Sequence, residues 1–164
     1  MNELQKNIVE WSKKNFGDQK GLNHIASFLG IGEELLELEN AITDEERTDA
    51  YADIFIYSCD FLGRLPNPIK IESIFNNATK RIYNNPSATP LDIVHLYLQM
   101  NHSILKHHQQ IRGIDDHKLT KYVHYAMSEL LVLLDQQSHY NLHSYAKETF
   151  DKIVSKRDWT CQED

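Results

Sequence analysis

Gly32-Glu33-Glu34-Leu35-Leu36-Glu37-Leu38-Glu39 decides how the rest of the chain is read. Its acids recur with helical spacing, not strand spacing: Glu34 and Glu37 share one face, and so do Glu33 and Glu37. Working outward, Leu22, Ile25, Phe28, Leu29, Leu35, Leu36 and Ile42 recur every three or four residues and give a helix over about 22–42. Thr43-Asp44-Glu45-Glu46 reads as a capped restart with acids in the first turn, and opens a helix over about 45–63 ending near Gly63. Upstream, Leu4, Ile8, Val9 and Trp11 mark a helix over about 3–15, stopped by Gly17. Downstream, Pro66 and Pro68 punctuate a loop, a helix covers about 69–83, and 84–90 reads as a linker. Three more helices follow at about 91–111, 116–137 and 141–157, with Gly113 between the first two. No segment alternates as a strand does. The expectation is an all-α protein of about seven helices, folded as a single domain over 1–164.

Composition supports a packed core. Of 164 residues, 41% are hydrophobic and 25% charged, so the chain can bury enough apolar surface to fold. The 17 basic and 24 acidic residues leave a net charge of −7. That balance argues against partners such as nucleic acid or an anionic membrane, which call for a basic face. No stretch reaches the roughly 20 apolar residues of a membrane span. The opening Met-Asn-Glu-Leu-Gln-Lys lacks the basic and apolar regions of a signal peptide. Two cysteines, Cys59 and Cys161, make neither a disulfide framework nor a zinc site. The compartment expected on these grounds is cytoplasmic.

The two halves of the chain resemble each other. Lys80-Arg81 stands near the end of the fourth helix and Lys156-Arg157 near the end of the seventh. Sliding 91–159 onto 15–83 places Ser128-Glu129-Leu130-Leu131-Val132 over Ala52-Asp53-Ile54-Phe55-Ile56. This pattern suggests a diverged duplication, with a unit over 1–85 and a second over 90–164 packed as a pseudo-dimer.

The acids carry the chemistry. Asp49 and Asp53 lie four apart and Asp60 seven further on, which puts them roughly on one stripe of the third helix. Two antiparallel helices joined by a short turn can bring Glu34, Glu37 and Asp53 together. Such an oxygen cluster suits Mg²⁺ or Mn²⁺, with water and phosphate completing the shell. A solvated acidic face is the simpler reading of Glu-Glu-x-x-Glu, but Leu35, Leu36 and Leu38 leave this helix little purely polar surface. Asp53 likewise sits inside the apolar run Ala52-Asp53-Ile54-Phe55-Ile56-Tyr57, where a carboxylate needs a partner, a proton or a metal.

Trp11, Phe16-Gly17, Glu33-Glu34-x-x-Glu37 and Ala52-Asp53-Ile54 together resemble the MazG-like all-α nucleotide pyrophosphohydrolases, which are related to the dimeric all-α dUTPases. Val154-Ser155-Lys156-Arg157-Asp158-Trp159 is similar to a terminal segment of small members. The family pattern is EExxE followed by ExxD. The resemblance implies a Mg²⁺-dependent enzyme that cleaves a (d)NTP to a nucleoside monophosphate and pyrophosphate, with Glu34, Glu37 and Asp53 as metal ligands. Glu33 or Glu34 would then be the proton acceptor. The first acid of ExxD is replaced by Ala50, and Asp49, one residue earlier, is the available substitute. Asn76, Lys80 and Arg81 lie on the helix that resembles the family's phosphate-contacting one, and Trp11, Phe16 or Trp159 could stack on a base. In the second unit Gln99 and His102 stand where Glu34 and Glu37 do, and Glu129 is the one acid near the Asp53 position, so that unit reads as structural.

Three further readings close the list. His95, His102, His107, His108 and His117 lack a recognisable metal spacing and read as surface or satisfied interface residues. No Gly-x-x-x-x-Gly-Lys loop or Gly-x-Ser-x-Gly elbow is present. The alternative to an enzyme is a non-catalytic helical module that binds nucleotide or protein. Either function is compatible with a homodimer or with a self-sufficient pseudo-dimer.

Overall fold

A computed structural model describes residues 1–18, 23–78, 90–138 and 141–156. Among these residues the protein is all-α, with seven helices and no strand: α1 (Asn2–Phe16), α2 (Asn23–Asn40), α3 (Asp44–Gly63), α4 (Ile71–Ala78), α5 (Pro90–His108), α6 (Asp116–Gln137) and α7 (Leu142–Lys156). No helix among them is long and apolar enough to cross a membrane.

The helix boundaries follow local chemistry. Gly17 closes α1 at φ 80°, a left-handed conformation that costs glycine little, and its N–H donates to the Lys13 carbonyl. Thr43 and Glu46 form a reciprocal capping box at the start of α3: the Glu46 N–H donates to the Thr43 hydroxyl at 3.2 Å, and the Thr43 N–H to Glu46 Oε2 at 2.9 Å. Asp115 caps α6 by accepting from the Lys118 N–H at 2.8 Å. The fifth helix stops at His108, not near 111 as periodicity predicts. Gln110, Arg112 and Gly113 all take positive φ there, and that reverses the chain within a few residues. The fourth helix is described to Ala78; its expected remainder to 83 and most of the linker expected over 84–90 lie outside the described residues, and Pro90 opens α5 instead of ending that linker.

Two antiparallel hairpins form the frame: α2 packs along α3, and α5 along α6. The short helices then cross over. Helix α4, which follows the first hairpin, packs on α6, whereas α7, which follows the second, packs on α3. The core is continuous across both hairpins, from Ile54, Phe55, Phe61 and Leu62 on α3 to Val123, Met127, Leu130 and Leu134 on α6. Helices α2 and α5 meet where the Phe28 and Tyr97 rings stack, 4.5 Å apart and 11° from parallel. Gly32 makes room there, since an added Cβ would sit 2.4 Å from the Tyr97 hydroxyl oxygen.

A buried polar knot fixes α1, α2 and α3 to one another. The Arg64 Nε donates to Asp60 Oδ1 at 2.8 Å, and its outer nitrogens to Ser12 Oγ at 2.8 Å and the Gly17 carbonyl at 3.1 Å. The Ser12 and Ser27 hydroxyls both donate to Asp60 Oδ2. Two charges taken from water are tolerable because every one of these groups is paired. Gln5 extends the fastening, donating to the Ile69 carbonyl at 2.8 Å and accepting from the Ile71 N–H at 2.9 Å.

Candidate functional site

A cleft of about 560 Å³ opens where α1, α2, α3 and α7 converge. Helix α3 lays Asp49, Asp53, Ile56, Tyr57 and Asp60 along it, at the three- and four-residue steps of a single helical stripe. Helix α2 supplies Glu34 and Glu37, α1 supplies Ile8, Trp11, Ser12 and Phe16, and α7 closes the far side with Thr149, Lys152, Ile153 and Lys156.

The structure therefore brings Glu34, Glu37, Asp49, Asp53 and Trp11 together in one cavity. Asp60 shares the stripe, but its carboxylate is committed to Arg64, Ser12 and Ser27. Ala50 is buried, so the position of the missing acid packs into the core while Asp49 lines the cleft. Glu33 is exposed on α2 and stands outside the lining; its charge still reaches Glu34. Asn76 is exposed on α4, also outside the lining. Lys80, Arg81 and Trp159 lie outside the described residues.

Glu34 is the electrostatic centre. Burial, and then the neighbouring charges of Asp53, Glu37 and Glu33, push its carboxyl up to about 8. Asp49 is held from across the cleft's edge, where the Tyr145 hydroxyl of α7 donates to Oδ1 at 2.7 Å. That hydrogen bond is also the main reason the Tyr145 phenol is pushed up to about 12. Trp11 is half-buried, edge-on to Phe16 at 5.6 Å and to Phe150 at 5.9 Å. The indole packs on these two rings and also lines the cleft.

Lys152 and Lys156 are the cations that the sequence reading did not place here. They are exposed, one turn apart on α7, and share the cleft with the carboxylates of α2 and α3. One signal pointed to them: Lys156-Arg157 is the repeat counterpart of Lys80-Arg81. The cleft thus joins a carboxylate wall, a lysine wall and an aromatic end, an arrangement able to take a polyanion with a flat apolar group attached.

Among the described residues no three His, Cys, Asp or Glu side chains converge as a ready-made metal cage. The donor chemistry still fits a hard cation, since the wall offers several carboxylate oxygens and Glu34 is destabilised as an anion by its neighbours. The histidines form no such set. His24 is buried against Phe61 at the start of α2, and its imidazole is pulled down by burial and by His107 and His108. The Nε2 of His107 lies 2.6 Å from Asp116 Oδ1. Comparison of the chain with protein-family models, with curated proteins and with solved structures finds no match in any of the three.

Proposed function

We propose that the protein is a Mg²⁺-dependent nucleoside triphosphate pyrophosphohydrolase that cleaves a (d)NTP to the monophosphate and pyrophosphate. The observation that carries this reading is the meeting of Glu34, Glu37, Asp49 and Asp53 with Lys152 and Lys156 in one cleft. A triphosphate needs its charge neutralised and a water aimed at phosphorus, and this set of side chains can serve both needs.

Glu34, Glu37, Asp49 and Asp53 would hold Mg²⁺, with Mn²⁺ as a substitute. A preformed cage is not needed, because Mg²⁺ commonly binds through one or two carboxylates plus water and substrate phosphates. When bound, the ion would supply charge neutralisation at the phosphates and a more acidic water. Of the two candidate bases, Glu34 is the one that lines the cleft. Burial and like charge hold its proton up to about 8 in the metal-free cleft, and a bound cation would draw it to the ionised form that can accept a proton from the attacking water. Lys152 and Lys156 meet the outer phosphates from α7, and Trp11 offers an edge of the cleft to the base. Asn76, Lys80 and Arg81 remain the proposed second set of phosphate contacts. The two units, 1–85 and 90–164, are read as a diverged pair, supported by the crossed packing of α4 on α6 and α7 on α3.

The test is pyrophosphate release from a panel of canonical and modified (d)NTPs, with Mg²⁺, Mn²⁺ or excess EDTA in parallel. Metal-dependent release with monophosphate as co-product is expected, abolished by Glu37→Gln and Asp53→Asn in variants that keep their helical content. Glu129→Gln leaves turnover nearly unchanged. Silence across the panel from the folded protein overturns the enzyme reading and leaves a nucleotide- or protein-binding module.

A further inference from the structure

Ala50 is 3% exposed, so position 50 belongs to the core, and the acid beside it that reaches the cleft is Asp49. Asp49 stands one turn before Asp53 on the same stripe of α3. With Glu37 it also lines a smaller cavity of about 360 Å³ beside the α2–α3 turn. The cleft and this cavity share those two carboxylates, which therefore stand at their junction. An aspartate at that point has a handicap. Its arm is one carbon shorter than that of glutamate, and on an exposed helix face its χ1 has more than one well to occupy. The Tyr145 hydroxyl restricts that choice by donating to Oδ1 at 2.7 Å.

The donor is itself held in place. The Tyr145 ring packs against the core, and Leu142 and Ala146 on the same helix are buried. The kind of donor matters as much as its position. A lysine there would fasten α7 to α3 and neutralise the carboxylate at the same time. A phenol fixes Oδ1 and leaves the negative charge in place, with Oδ2 remaining to meet a cation. Glu45 and Glu148 add further negative charge around the phenol. Metal sites aim their carboxylate ligands through hydrogen bonds of this kind from a second layer of residues. We propose that Tyr145 is a positioning residue for a divalent cation: it orients Asp49 so that this shorter carboxylate takes the place of the acid absent at position 50. The inference rests on the reading of the cleft as a Mg²⁺ site, and it makes α7 part of that site.

Titration of the nucleotide-free protein with Mn²⁺, the free ion being counted by electron paramagnetic resonance, tests it. The wild-type chain is expected to bind Mn²⁺, and Asp53→Asn to lose most of that binding. Tyr145→Phe is expected to weaken it roughly tenfold or more, with far-UV circular dichroism unchanged well below the melting temperature. Asp49→Asn weakens it at least as much, and Tyr145→Phe adds nothing in that background, because the phenol acts through Asp49. Tyr145→Lys restores a donor but brings a charge, and is expected to bind Mn²⁺ no better than Tyr145→Phe. Wild-type protein that binds no Mn²⁺ overturns the metal reading of the cleft and this inference with it. Binding that Asp53→Asn abolishes but Tyr145→Phe leaves intact overturns the role of Tyr145 alone. So do additive losses in the double variant, or recovery of affinity by Tyr145→Lys, which would mark the bond as a fastening of α7 and nothing more.

Discussion

The Tyr145 hydroxyl donates to Asp49 Oδ1 at 2.7 Å and so fastens α7 to the acidic stripe of α3 across 96 residues of sequence. Tyr145→Phe removes the donor and keeps the ring. A net hydrogen bond of this kind is worth about 1 kcal/mol, so urea unfolding should show a loss of that order. In an Asp49→Asn background the same substitution should cost less, since the charged acceptor is already gone. Equal losses in both backgrounds would detach the bond from α7 docking.

Glu34 makes stability depend on pH. The folded protein holds this proton up to about 8, whereas an ordinary glutamate gives it up near 4.5. The unfolded chain therefore binds fewer protons between those values, and stability falls as pH rises through that window. Glu34→Gln should flatten the fall and leave the protein more stable at its alkaline end. Mg²⁺ should raise the melting temperature of the wild-type protein most where Glu34 is ionised, and lose much of that effect in the variant. Thermal melts across the window, with and without Mg²⁺, read both outcomes.

Asp60 and Arg64 are buried as a pair. Arg64→Met leaves a carboxylate in the interior with two serine hydroxyls as its remaining partners, and should cost about 3–5 kcal/mol. Asp60→Asn in the same background should recover part of it by removing the stranded charge. Denaturant midpoints of the two variants decide the matter; a single variant as stable as wild type would contradict the burial.

Gly30 lies under a ring. An added Cβ would sit 2.5 Å from Tyr57 Cε1, and Tyr57 lines the cleft. Gly30→Ala should therefore destabilise by about 1–3 kcal/mol, despite the better helix propensity of alanine. It should also displace Tyr57 and change the cleft. A Tyr57→Leu background should relieve most of the penalty. Ring-current shifts of nearby methyl groups, together with melting temperature, report the displacement.

Much of the fold was legible because its signals are local. Thr43 announces a capped helix start with acids in its first turn, and Gly17 a helix end. The stripe of Asp49, Asp53 and Asp60 follows from helical geometry alone. Its division of labour does not: Asp60 is neutralised by Arg64, Ser12 and Ser27, two of which come from other helices. Periodicity could not stop α5 at His108 either, because Gln110 and Arg112 adopt positive φ without being glycine. Lys152 and Lys156 were invisible as cleft residues for a different reason. They look like solvated lysines on an amphipathic helix until α7 docks on α3, and that contact is tertiary.

The crossed packing of α4 and α7 sets the order in which the protein can be completed. Helix α3 emerges from the ribosome roughly 80 residues before the helix that covers it, so its α7-facing side waits exposed during synthesis. The cleft has three walls until then and gains Lys152 and Lys156 only with α7. A nascent chain can close its first hairpin early, but whatever the cleft does begins only once α7 has been made.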